Sequence, residues 1–128
     1  MPDSGTPAEA SPSDLIVVPA RFGSTRLPGK PLLQIAGRTL LERVVATARA
    51  ASVLAGNCDV VVATDDERIA EHARALGAEV SMTDAALDSG SARACAAAQL
   101  RSRLPAFVIN LQGDAPFIPP AIVASLIA

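Results

Sequence analysis

The sequence predicts an α/β fold built on a doubly wound, mainly parallel sheet. Short unbroken apolar runs occur at 15–18 and 60–63, as expected of strands buried on both faces, and a further strand is predicted at 107–111. Stretches whose apolar residues fall at helical spacing lie between them. Strands alternating with helices at this interval form βαβ units around a parallel sheet.

The elements follow in order. Residues 1–13 are rich in Pro, Ser and Gly without apolar periodicity, and read as a disordered tail. Leu15, Ile16, Val17 and Val18 make the first strand. Arg21 to Lys30 is a loop, broken by Gly23, Ser24, Pro28 and Gly29. A helix is predicted from Thr39, which stands three residues before Glu42 in a capping-box pattern. Leu40, Leu41, Val44, Val45 and Ala48 form its core face, and Gly56 ends it. The unit then repeats. Val60 to Ala63 is a strand, Thr64 and Glu67 make a second capping-box pattern, and Ile69, Ala70, Ala73 and Leu76 form the stripe before Gly77. A short strand is predicted over 79–82, an Ala-rich helix over 89–100 and a strand over 107–111. A helical start follows Pro119 and Pro120.

Composition sets limits on function. The 128 residues suffice for one domain with a real core. A net charge of −2 argues against a nucleic-acid binder held by a basic face. The chain has no Trp, no Tyr and three Phe, too few for base-stacking platforms. No apolar run is long enough to span a bilayer, so membrane insertion is not expected. The N-terminus lacks the pattern of a secretory signal. Cys58 and Cys95, with no CxxC spacing and only His72 as a histidine, do not make a zinc site. They are expected to be two buried, reduced thiols in a cytoplasmic protein, Cys95 as a core filler.

In open parallel sheets, ligands bind beyond the carboxyl ends of the strands. The loop after the first strand holds Arg21, Arg26 and Lys30, the chain's only lysine, among Gly23, Ser24 and Gly29. Cations beside exposed amides suit a polyphosphate, although a solvated loop with snorkelling arginines fits the same residues. The spacing matches neither a P-loop nor a dinucleotide glycine fingerprint, which argues against an NTPase or an NAD-type dehydrogenase. After the 107–111 strand comes NLQGDAP. There Asp114 has the chemistry to hold a cation beside phosphates, or to close an Asx-turn in its own loop. Gln112 offers an amide to a base or ribose. Asp65, Asp66, Glu67 and Glu71 are expected to complement the dipole of the helix they open, with His72 on its solvent face. Arg101 and Arg103 are expected to complement another helix end.

Four strings in collinear order carry a resemblance: VVPARFGSTRLPGKPL, VVVATDDERIAEHARALGAEVSMT, SGSAR and NLQGDAP. Together they resemble the N-terminal half of the 3-deoxy-manno-octulosonate (KDO) cytidylyltransferases, the CMP-KDO synthetases. Part of the first string is shared with CMP-sialic acid synthetases and spore-coat-type nucleotidyltransferases. The resemblance implies a Rossmann-like, glycosyltransferase-A-like nucleotidyltransferase domain, truncated. Residues 14–128 would be its nucleotide-binding part. It implies the reaction of CTP with KDO to give CMP-KDO and pyrophosphate, for lipopolysaccharide biosynthesis, with Mg²⁺. Arg21, Arg26 and Lys30 would then neutralise the triphosphate and, with Asp114, form the catalytic group. Pro19, Ala20 and Ser24 would line the nucleotide, and Met82, Thr83, Ser89 and Gly90 would frame the cytosine. Gln112 would approach the nucleotide and Asp114 would bind the metal. The full-length form would be a cytoplasmic homodimer. Where the family usually carries an acid, this chain has Ala92 and Ala115. Those changes favour one alternative, a non-catalytic nucleotide-binding fragment. A second, CMP activation of another acidic 2-keto sugar such as sialic acid, stays open because the pocket that decides it would lie in the absent half.

Overall fold

The computed structural model describes residues 14–23, 29–56, 58–84, 87, 90–101, 107–111 and 119–125. The tail expected over 1–13 lies outside them. The elements are β1 (Asp14–Ala20), a 3-10 turn (Lys30–Leu32), β2 (Gln34–Ile35), β3 (Arg38–Thr39), α1 (Leu40–Leu54) and β4 (Asp59–Thr64). They continue with α2 (Glu67–Ala75), β5 (Glu79–Met82), α3 (Gly90–Gln99), β6 (Phe107–Asn110) and α4 (Pro120–Ser125).

The main sheet has the order β5-β4-β1-β6, and every pairing in it is parallel. The chain steps outward from β1 to β4 to β5, then crosses back to place β6 on the other side of β1. That reversal puts the switch in strand order between the carboxyl ends of β1 and β6, the place where open α/β sheets take their ligands.

Alternate residues of the central strands feed two cores, because successive side chains of a strand face opposite ways. Ile16, Val18, Ala20 and Val62 pack with Leu41, Val44, Val45 and Ala48 of α1 and with Ile69 and Ala73 of α2. Leu15, Val17, Val61 and Ala63 pack with Ala94, Ala97 and Ala98 of α3 on the other face. Helices on both faces make the sheet doubly wound, as the sequence predicts. The α1 stripe of Leu40, Leu41, Val44 and Val45 is buried throughout.

Pro19 sits in an interior strand without breaking it. Pairing with β6 ends at Val17, whose carbonyl accepts from the Leu111 amide at 2.9 Å. Pro19, two residues on, faces the same side past the last partner, so its missing N–H removes no ladder bond. β2 and β3 form a small antiparallel hairpin ahead of α1. Ala36 and Gly37 turn it at φ 53° and 82°.

The helix starts bear out one expectation and correct another. Thr39 caps α1, its Oγ1 accepting from the Glu42 amide at 3.0 Å. Thr64 does not cap α2. It is the buried last residue of β4, and its Oγ1 accepts from the Asp66 amide at 3.2 Å. Asp66 is the cap instead, with Oδ1 accepting from the amides of Arg68 at 2.8 Å and Ile69 at 3.3 Å. A carboxylate two residues nearer the helix displaces the hydroxyl because it satisfies two orphan donors and meets the positive end of the dipole.

The Arg68 guanidinium, 2.7 Å from Asp66 Oδ2, holds the Asp66 carboxyl below the usual carboxylate range, and the two capping amides add to this against the cost of burial. Asp66→Ala is expected to cost about 1 kcal/mol at pH 7. A carboxyl whose folded pKa is depressed stabilises the fold above its unfolded pKa and loses that effect as pH falls through the folded value. The gap between wild type and variant in urea unfolding is therefore expected to shrink once pH drops below about 4.

Four other side chains depart from expectation. His72 is half-buried, with Nε2 2.7 Å from Thr39 Oγ1, so it buttresses the α1 cap from α2 rather than facing solvent. Cys95 is exposed, because the buried face of α3 runs through 93, 94, 97 and 98. Cys58 is only half-buried, and that burial pushes its thiol above the usual range. Arg101 bridges Asp59 (2.6 Å) and Glu79 (2.5 Å), tying the starts of β4 and β5 instead of capping a helix. Arg103 lies outside the described residues. No helix among the described residues is long and apolar enough to cross a membrane.

Candidate nucleotide site

The crevice at the carboxyl edge is built from the ends of four strands. β1 delivers Pro19 and Ala20 to it, both buried, followed by half-buried Arg21 and Phe22. The loop that leaves β1 returns to its own start. The Gly29 amide donates to the Phe22 carbonyl at 2.7 Å. This bond makes a neck, and the two residues flanking it are Arg21 and Lys30. Two of the three predicted cations are thus brought to the same place, at the end of the central strand.

The neck has little freedom. Gly29 has φ +75°, and a Cβ there would come within 2.9 Å of the Phe22 ring. Only glycine meets both conditions without strain. The ring also carries the Arg68 guanidinium, 3.4 Å from its centroid, a cation–π stack. Arg68 is itself aligned by Asp66, which it grips through Nε at 3.1 Å and Nη2 at 2.7 Å. The N-terminus of α2 therefore braces the cationic loop, a contact absent from the sequence reading. Pro31 is buried in the first positions of the 3-10 turn, directly after Lys30, and fixes the backbone on the exit side.

β4 ends in Thr64 and Asp65, and β5 ends in Met82. The Thr83 amide donates to the Thr64 carbonyl at 2.8 Å, extending the β4–β5 ladder by one bond. Met82 is exposed, Thr83 half-buried, and Gly90 is the first residue of α3. All three lie at the same edge as the neck. Ser24, Arg26, Ser89, Gln112 and Asp114 lie outside the described residues. Among the described residues, no group of three or more His, Cys, Asp or Glu side chains converges as a metal site.

Arg93 is the residue that sequence reasoning undervalued. It entered there only as the last letter of SGSAR. Its side chain is fully buried, and its guanidinium reaches Thr83, Asp84, Leu87 and Asp65. The available signal was its spacing: Arg93 and Ala97 stand at i and i+4, so the arginine had to share the buried face of α3.

A family profile described as cytidylyltransferase matches residues 15–128. The chain is 47% identical over 114 residues to a 3-deoxy-manno-octulosonate cytidylyltransferase of Maricaulis maris, covering 89% of this chain and 43% of that one. It is 49% identical over 117 residues to one from Chelativorans sp., covering 90% and 45%. Among solved structures it is similar to a CMP:2-keto-3-deoxy-manno-octonic acid synthetase complexed with CTP. The TM-score is 0.79 at 40% identity, over 89% of this chain and 45% of that one. The chain spans less than half the length of these relatives. A profile match that begins in β1 and runs through the last residue decides the matter: the chain belongs to the cytidylyltransferase family.

Proposed function

We propose that this chain is the CTP-binding part of a KDO cytidylyltransferase, which joins CTP and KDO to give CMP-KDO and pyrophosphate for lipopolysaccharide biosynthesis. The observation that carries the reading is the neck at the end of β1, a backbone bond between Phe22 and Gly29 whose chain neighbours are Arg21 and Lys30. It occurs in a chain 40% identical to a synthetase solved with CTP.

The chemistry follows from charge. The sugar's anomeric hydroxyl attacks the α-phosphorus in line, and pyrophosphate leaves. Negative charge builds on the leaving group, so fixed cations placed there before the reaction lower the barrier. We assign that task to Arg21, Lys30 and Arg26. The buried end of β1, Pro19 and Ala20, offers backbone groups to the nucleoside, with Ser24 and Gln112 alongside. Met82, Thr83, Ser89 and Gly90 border the cytosine. Magnesium keeps most of its water and phosphate ligands and asks a protein for one or two carboxylates. Asp114 supplies such a hard oxygen donor, and the bound ion would neutralise phosphate charge. The complete enzyme is read as a cytoplasmic homodimer.

Thermal unfolding with CTP and Mg²⁺ tests the reading. A ligand at a hundred times its Kd stabilises the folded state by about 2.7 kcal/mol. CTP is expected to raise Tm well above ATP or GTP at the same concentration, and Asp114→Ala to shrink the shift. Equal shifts with every nucleoside triphosphate would leave only a generic phosphate site.

A further inference from the structure

We propose that Arg93, with Asp65 as its counter-charge, is a positioning residue that fixes the nucleobase side of the site. The inference rests on the CTP reading above.

Arg93 is fully buried on α3. Its Nη1 donates to Thr83 Oγ1 at 2.5 Å and to the Asp84 carbonyl at 3.2 Å. Its Nη2 donates to the Leu87 carbonyl at 3.0 Å and lies 3.8 Å from Asp65 Oδ2. One planar group thus joins the end of β4, the end of β5 and the segment leading into α3. Thr83 is held twice, since its amide also donates to the Thr64 carbonyl.

Stability alone does not account for an arginine here. Burying a guanidinium is costly, and an apolar side chain of similar volume often serves a core as well or better. Moreover, among the described residues the pair is incompletely satisfied: Arg93 Nε and Asp65 Oδ1 are both buried without a hydrogen-bond partner there. A site that only filled space would not retain two orphaned polar atoms. The fork does one thing that an aliphatic chain cannot. It sets a hydroxyl and two carbonyls at fixed positions along residues 83–87, just where the strands β4 and β5 deliver the chain to the crevice. The Thr83 oxygen accepts from a charged donor, which turns the hydroxyl's own hydrogen away from Arg93. A pyrimidine edge presents acceptors for such a hydrogen.

The test separates the two ends of the nucleotide. Dissociation constants for CTP with Mg²⁺ and for inorganic tripolyphosphate are measured by calorimetry on the full chain. Wild type is compared with Arg93→Lys and Asp65→Asn, and urea unfolding is followed in parallel. Arg93→Lys keeps the charge and loses the planar fork. Losing one charge-assisted hydrogen bond corresponds to about a tenfold change in affinity. Both variants are expected to weaken CTP by that factor while tripolyphosphate, which reports the cationic neck alone, stays within about twofold. Equal weakening of both ligands, or unchanged CTP affinity in a folded variant, overturns the proposal. Should Arg93→Lys fail to fold, Asp65→Asn decides by the same criteria. Wild-type protein binding CTP no more tightly than tripolyphosphate refutes the function itself, and the inference with it. That failure is visible in the wild-type arm alone.

Discussion

Leu41→Ala is expected to lower the stability of the folded chain by about 3 kcal/mol, within the range of 2–5 seen for such truncations. Leu41 is fully buried at the centre of the α1 stripe, packed with Ile16, Val18 and Val62 of the sheet. Removing a methine and two methyl groups forfeits their burial and leaves a cavity, because the surrounding side chains are close-packed and collapse only in part. The urea midpoint should fall with the slope unchanged. Leu54→Ala is the matched control. It is the same chemical change on the same helix, at a side chain 62% exposed, and should stay within about 0.5 kcal/mol. Similar losses at both positions would mean that α1 does not lie on the sheet through this stripe.

Lys30→Ala is expected to weaken CTP binding by about tenfold to a hundredfold, the equivalent of one charge-assisted contact to phosphate. Adding Arg21→Ala should weaken it further, and the salt dependence of binding should flatten as each cation is removed. Folding stability is expected to change little, since Lys30 is only half-buried and its neighbour Pro31 fixes the local backbone. Titration calorimetry at two ionic strengths reads both effects. Unchanged affinity in the double variant would move the phosphates away from the neck.

Much of the sheet was legible before any coordinates. β1, β4 and β6 are apolar runs because parallel strands are covered on both faces, and such runs survive as a pattern in the sequence. The α1 start was legible too, since Thr39 and Glu42 stand at the spacing that a capping box needs. The α2 start misled: Thr64 and Glu67 have the same spacing, but Thr64 belongs to a strand that runs one residue longer than its apolar core. Propensity could not weigh the strand's last pairing against the cap. The β2–β3 hairpin was invisible because Ala36-Gly37 is not a usual type I′ pair and two-residue strands carry no periodicity. Within the site, the cations of the first loop stood out by charge. The Phe22–Arg68 stack and the Arg93 network did not, because each joins residues far apart in the chain, and only the fold shows who meets whom.

The order of strands has a consequence for how the chain is made. β1 is made before the strands it pairs with: its two neighbours are β4 and β6, and Asp14 finds its partner in Phe107. One side of β1 must therefore wait uncovered until Phe107 to Asn110 have been synthesised. Closing such distant pairs is slow, and the waiting intermediate is prone to clump. Folding yield in a cell should depend on chaperone capacity and growth temperature more steeply than the equilibrium stability of the finished domain suggests.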